Sequence, residues 1–222
     1  MMDDFIFRNA TINDVPFLVD TIIEAEKSGT EILTYSTVFG LSEDETRKYI
    51  AEMLLEEVDG CELSISSFLV AENEGNIVAA VGAWIEGIEG ISSSVLKGNL
   101  LNYTLPKKCI ESAIPLNIML RELHIEYIPD TIQIGLVYVS SAFRGKNLVS
   151  LLINEQISNL KQIKPGISEI YVQVFGNNVA AIKAYEKANF KIQFAKESVN
   201  KDILKYMPAG NKILMKRELT TN

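Results

Sequence analysis

Apolar and polar residues alternate over residues 5–9 and then change period. Val15, Leu18, Val19, Ile22 and Ile23 follow at the spacing of one helical face. Thr11-x-x-Asp14 stands before that stripe as a capping box, and Ser28-Gly29 stops it. A second box, Ser42-x-x-Glu45, precedes Tyr49, Ile50, Met53, Leu54 and Val58, with acids on the other face and Asp59-Gly60 as the stop. Residues 68–71 and 77–85 predict two strands. Asn73-Glu74-Gly75-Asn76 joins them as a turn rich in residues that tolerate left-handed backbone.

The rhythm breaks over residues 87–130, where glycines and a serine run lead into apolar helical stretches around 95–101 and 115–125. Pro115 suits a helix start and not an interior. This segment predicts a helical insertion, too short to bury a core of its own. The second half is regular. A strand at 131–139, a turn at 140–147 and an amphipathic helix at 148–161 are followed by a strand at 169–175. A helix from Asn177/Asn178 to Ala188 and strands at 190–195 and 212–216 finish the chain. The order β-αα-ββ-(insertion)-β-α-β-α-β-β predicts one α/β domain over residues 1–222, with early antiparallel hairpins and a late β-α-β unit.

Composition narrows the classes. The chain has 222 residues, 47% of them hydrophobic and 23% charged, which fits a globular protein. The N-terminus shows no basic leader with an apolar core, and no apolar run is long enough for a bilayer. A cytoplasmic location without membrane attachment is expected. Two cysteines and one histidine cannot build a four-ligand Cys/His zinc site, so no metal is expected. Cys61 and Cys109 read as reduced, packed thiols, and His124 as a surface or satisfied core residue. GxxxxGK, GxGxxG and GxSxG are absent. The net charge of −8 argues against non-specific nucleic-acid binding, but it is unevenly spread. Residues 1–90 carry 19 acids and 4 bases, whereas residues 91–222 carry 17 bases and 10 acids.

One stretch carries most of the chemical information. At residues 132–149 a strand ends, a basic turn with a glycine follows, and a helix starts. Backbone N–H groups at such a helix start, with the helix dipole behind them, suit a pyrophosphate. Arg144 and Lys146 add positive charge. An ordinary βα turn with two solvated cations fits the same residues. About thirty residues later Asn178 is placed to cap a helix, and Tyr185 lies two turns along the same face. Ala181, Ile182 and Tyr185 equally suit plain packing on a sheet.

Together the two stretches resemble the GNAT superfamily of acyl-CoA-dependent N-acyltransferases. The family's loop reads Arg/Gln-x-x-Gly-x-Gly/Ala, and here it is Arg144-Gly145-Lys146-Asn147-Leu148-Val149. Asn147 replaces the first motif glycine, and Val149 replaces the second small residue. The later motif, Asn-x-x-Ala-hydrophobic-x-x-Tyr-x-x-x-Gly-Phe, is met by Asn178, Ala181, Ile182, Tyr185 and Phe190, with Asn189 where glycine is usual. The resemblance implies a mixed, largely antiparallel central sheet flanked by helices, with a helical insertion before the fourth main strand. It implies acetyl-CoA as co-substrate, lying in a gap where the strand at 131–139 splays from that at 169–175. Leu136, Val137, Tyr138 and Val139 would pair with the pantetheine arm, and an N–H near Val137 would polarise the thioester carbonyl. The amides of Arg144, Gly145, Lys146, Asn147, Leu148 and Val149 would hold the pyrophosphate. Asn178 would contact the pantetheine, and Tyr185 would protonate the departing thiolate. An amine would attack directly in a ternary complex.

Many family members place a general base on the strand that is 131–139 here, which carries no carboxylate. Glu86, at the preceding strand end, is the catalytic candidate; it reads equally as a solvated strand-end acid. The acceptor, a small-molecule or peptide amine, is expected against the 28–41 loop with Tyr35 and Phe39 and the 84–89 segment with Trp84. Because that half is acidic, a cationic acceptor is expected there. The insertion reads as a lid or a homodimer surface. The departures at Asn147 and Val149 and the missing strand carboxylate keep a second reading open, an acyl-CoA-binding sensor or interaction module. A disused cleft is a third.

Overall fold

Seven strands form one sheet: β1 (Ile6–Asn9), β2 (Phe68–Asn73), β3 (Asn76–Ile85), β4 (Ile132–Val139), β5 (Glu169–Phe175), β6 (Lys191–Glu197) and β7 (Asn211–Glu218). Their order is β1-β2-β3-β4-β5-β7-β6. Only β4 and β5 run parallel, and they pair only from Ile132↔Ile170 to Ile134↔Val172. The computed structural model describes residues 5–88 and 90–219. Helices α1 (Val15–Lys27), α2 (Thr34–Phe39) and α3 (Glu43–Leu55) precede the β2–β3 hairpin. The insertion folds as α4 (Ser93–Thr104), α5 (Lys107–Ala113) and α6 (Asn117–Arg121), and α7 (Leu148–Ile163) and α8 (Val179–Lys187) complete the set. This is the mixed, largely antiparallel sheet flanked by helices that the sequence predicts.

Local signals set the boundaries. The Asp14 carboxylate accepts the Thr11 amide at 2.7 Å and two bonds from the Arg8 guanidinium at 2.7 and 2.9 Å, joining β1 to the start of α1. The Ser42–Glu45 box is reciprocal, with bonds of 2.9 and 3.2 Å. Ser28 (φ 49°) ends α1 in left-handed backbone. Glu74 (φ 51°) and Gly75 (φ 77°) make the β2–β3 turn. Two short helices were not expected. α2 occupies part of the 28–41 segment read as a loop, and α5 follows α4. Neither has the length to be stable alone. Tertiary contacts hold α2: Tyr35 and Val38 are buried, and the Thr37 hydroxyl donates to the Tyr206 carbonyl at 2.8 Å.

The sheet is covered on both faces. Leu148, Leu152, Ile153 and Ile157 of α7 pack on one, and α1 and α3 on the other. Along β3, Ala79, Val81, Ala83 and Ile85 all face the α7 side. On β4 the parity changes. Ile132 and Ile134 face α7, but beyond Gly135 it is Val137 and Val139 that do so, while Leu136 faces α1. The register explains the switch: Ala83 pairs with Ile134 and Gly82 with Leu136, leaving Gly135 as an extra, bulged residue. A Cβ on Gly135 would lie 2.6 Å from the Trp84 ring, so only glycine fits over that indole. The bulge stands where β4 parts from β5. The insertion borrows its core at both ends. Leu105 and Cys109 pack with Leu41, while Met119 and Leu123 pack with Ile203.

Candidate active site

Beyond Ile134 and Val172, β4 and β5 diverge and open a cavity of about 150 Å³. The β4 bulge forms its floor with Gly135, Leu136 and Val137, and β5 adds Gln173, Val174 and Phe175. Asn178 and Tyr185 from α8 close one side. The Asn178 Oδ1 accepts the Ala181 amide at 3.1 Å, which starts α8. Its Nδ2 donates to the Ser28 hydroxyl at 3.0 Å, tying α8 to the end of α1. Tyr185 is buried, edge-on to Phe190, and its hydroxyl makes no hydrogen bond among the described residues. Burial pushes the phenol well above its usual pKa, so it holds its proton at neutral pH. Asn189 takes left-handed backbone (φ 68°), which is why asparagine serves where glycine is usual.

The basic loop lies at the start of α7. Gly145 (φ 82°) and Asn147 (φ 63°) are both left-handed. Asn147 caps α7 without a side-chain hydrogen bond, so the first-turn amides are not closed by their own cap. Arg144 is exposed, and its Nε donates to the Val139 carbonyl at 3.0 Å, fastening the loop to the end of β4. Lys146 lies 4.9 Å over the Phe143 ring. Leu148 and Val149 pack into the α7-side core, so Val149 does not crowd the loop. Tyr138 turns to the other face, against Phe17.

Four charged groups reach the cavity, and sequence reasoning had singled out none of them. They are Glu26 of α1, Glu62 before β2, Lys97 of α4 and Lys212 of β7. Glu62 and Lys97 form an ion pair, and the Tyr127 hydroxyl donates to the second Glu62 oxygen at 3.3 Å. Burial works against both charges, but the pair outweighs it: the Glu62 carboxyl is lowered and the Lys97 ammonium raised. Glu26 and Lys212 form no ion pair among the described residues. Burial therefore dominates, raising the Glu26 carboxyl and lowering the Lys212 ammonium. Glu26 had a sequence signal. It stands four residues after Ile22 and three after Ile23, where the apolar stripe of α1 should continue.

Several expectations need correcting. Glu86 is neither in the cavity nor solvated. It is buried, accepting the Trp84 indole N–H at 2.9 Å, the Ser93 amide at 3.0 Å and the Ser93 hydroxyl. Three donors fix it as the cap of α4. Trp84 is buried under Gly135 and edge-on to Tyr127, 5.4 Å away, so it supports the floor without lining it. Tyr35 is buried behind the ion pair with Lys97 5.2 Å over its ring, and Phe39 stacks on Tyr35 and packs toward Leu41 and Leu105. Neither ring lines the cavity. Glu89, at the end of the expected lining segment, lies outside the described residues. The charge halves do not map onto the cavity walls, because two carboxylates from the first half meet two lysines from the second.

A larger groove of about 760 Å³ adjoins the cavity and shares Phe175 and Lys212 with it. It runs between α6 with its following loop and the β6–β7 region, with His124, Lys196 and Met207 in its walls. His124 is thus at the surface, 3.2 Å from Glu126. Cys61 and Cys109 are buried free thiols outside both spaces. No helix among the described residues is long and apolar enough to cross a membrane.

No curated protein matches the sequence. Among solved structures, an N-acetyltransferase from Staphylococcus aureus Mu50 aligns over 96% of this chain and 100% of its own, with a TM-score of 0.65 and 16% identity. A Drosophila melanogaster polyamine N-acetyltransferase, which forms N-acetylagmatine, aligns over 97% and 100%, with a TM-score of 0.59 and 16% identity. A ribosomal-protein-alanine N-acetyltransferase from Brucella melitensis aligns over 96% and 99%, with a TM-score of 0.54 and 17% identity. At these identities the likeness is one of fold. The family assignment comes from sequence: residues 34–190 match the model of the acetyltransferase (GNAT) family. That span takes in α2 through Phe190, including the splayed strands, the basic loop and Tyr185. The chain belongs to the GNAT acetyltransferase family, and with it to the acyl-transferring enzymes.

Proposed function

We propose that the protein transfers an acetyl group from acetyl-CoA to a primary amine by direct attack, with Glu26 as general base and Tyr185 as general acid. The carrying observation is that a carboxylate of raised pKa and a protonated, unbonded phenol border one small cavity at the β4–β5 split. The relatives named for polyamines and for a ribosomal-protein alanine support an amine acceptor. The cavity of about 150 Å³ favours a two-carbon acyl group over a long chain.

The donor side is read from the chain's own geometry. Past the bulge, Leu136, Val137, Tyr138 and Val139 have no β5 partner, so their free edge suits an extended amide arm. The uncapped first turn of α7, with Gly145, Asn147, Leu148 and Val149 around it and Arg144 and Lys146 beside it, suits a pyrophosphate. Asn178 lines the cavity beside that β4 edge. In the reaction the amine nitrogen attacks the thioester carbon and its proton passes to Glu26. The carbonyl oxygen gains negative charge, which a β4 N–H near Val137 receives. The carbon–sulfur bond then breaks, and the thiolate takes the Tyr185 proton.

Glu62 is the poorer base, because Lys97 stabilises its charged form. No covalent intermediate is invoked, and Cys61 is buried elsewhere with its thiol pushed up by burial. The test is thiol release from acetyl-CoA with a panel of amines. Turnover that falls about 10²–10⁴-fold in both Glu26→Gln and Tyr185→Phe is expected, the usual contribution of a general acid or base. Turnover unchanged in both variants, or none with any amine, refutes it.

A further inference from the structure

The groove of about 760 Å³ is within the size range of small-molecule sites and opens onto the cavity at Phe175 and Lys212. Its floor is apolar, with Leu123, Met207 and Phe175. Its polar lining away from the cavity is unbalanced: Arg121 and Lys196 face one carboxylate, Glu126, while Lys212 at the junction is already matched in charge by the cavity carboxylates. Arg121 forms no ion pair among the described residues. Its neighbour Glu122 is occupied by the loop before β7, accepting the Ser198 hydroxyl at 2.6 Å and the Val199 and Asn200 amides at 3.0 and 3.4 Å. Lys196 donates to the His124 carbonyl at 2.6 Å, which fixes the ammonium at the rim without cancelling its charge. Glu126 lies 3.2 Å from the His124 ring. Lys212, over the Phe175 ring at 5.6 Å, stands at the junction itself.

We propose that this groove selects amphoteric acceptors: small molecules whose reacting amine is joined through an apolar body to an anionic group, a carboxylate or a phosphate. The amine end points to Glu26, the apolar body lies on Phe175 and Met207, and the anion meets Arg121 and Lys196. A diamine would leave its second ammonium among cations. This selection reverses the acceptor charge expected from the acidic first half. The destination of the amine rests on the acetyl-transfer reading above; the charge preference of the groove does not.

The experiment compares acceptors of matched length: cadaverine, pentylamine, aminocaproate and aminobutyl phosphate. Equilibrium binding to the full chain and acetyl transfer from acetyl-CoA are both measured. An anionic probe is expected to bind, and to be acetylated as judged by kcat/KM, at least about tenfold better than cadaverine. The two anionic arms show whether carboxylate or phosphate fits. Arg121→Glu and Lys196→Glu should bring that ratio to unity or invert it, whereas Lys108→Glu, an equal charge change on α5, should not. Binding discrimination without transfer upholds the groove and refutes the catalytic reading. Transfer with equal use of cadaverine and the anionic probes overturns the proposal and leaves the catalytic reading standing. Absence of binding by every anionic probe also overturns it.

Discussion

Two polar clusters lie near the β4 bulge, and they treat their carboxylates differently. In one, buried Glu86 is saturated by the Trp84 indole and by the Ser93 amide and hydroxyl. In the other, half-buried Glu26 has the Thr34 side chain as a hydrogen-bond partner and forms no ion pair among the described residues, and loss of solvent raises its pKa. The first arrangement occupies the carboxylate with structural donors, away from the cavity. The second leaves a charge poorly stabilised, which is what a proton acceptor working near neutrality requires. Role therefore follows from how fully donors occupy the carboxylate and whether it faces the cavity, as Glu26 does and Glu86 does not.

The largest contrast expected is in rate. Glu26→Gln should lower kcat about 10²–10⁴-fold. Its thermal midpoint at neutral pH should hold or rise. A carboxyl whose folded pKa exceeds its unfolded one contributes stability at low pH that is lost as pH rises through the folded value, and glutamine removes that loss. The wild-type kcat/KM should climb with pH through a midpoint above the ordinary carboxylate range, and that limb should vanish in Glu26→Gln. Glu86→Ala should do the reverse. Denaturant unfolding should show a loss of about 1–3 kcal/mol for stranding the Trp84 and Ser93 donors, while activity per folded molecule persists. If Glu86→Ala abolished turnover in folded protein, the comparison would fail.

Gly135→Ala tests the boundary between the clusters. The added methyl meets the Trp84 ring, and a cost of about 1–3 kcal/mol is expected by calorimetry, with a fall in activity because the bulge forms the cavity floor. Ser42→Ala is the smallest change, about 1 kcal/mol from the lost α3 cap, with kcat unaltered. A change in kcat there would mean that α3 is coupled to the site.

The fold was largely legible because periodicity and capping residues act locally. The stripe from Val15 to Ile23, the Ser42–Glu45 box and the alternating strands all appear where their patterns lie. The α2 and α5 helices were not legible, since partners distant in sequence such as Tyr206 and Leu41 hold them. Two site features were present in the sequence but unread. Glu26 continues the apolar stripe of α1, and the shift from Ile132/Ile134 to Val137/Val139 marks a bulge at Gly135. Glu62, Lys97 and Lys212 gave no such signal, because only the fold brings a loop, an insertion helix and a late strand to one cavity. Summing charge over half the chain failed for the same reason. The excess acids of the first half include Glu43, Asp44 and Glu45, exposed at the start of α3 and not part of the cavity lining.

The insertion supplies Lys97 and Tyr127 to the cavity and Arg121, His124 and Glu126 to the adjoining groove. These residues fall within one contiguous stretch, separate from the loop and helices at 140–188. The division is modular at the level of the gene. Recombination or segment grafting between β3 and β4 can rewrite part of the wall proposed to face the acceptor while the later segments proposed to hold the acyl donor are inherited unchanged.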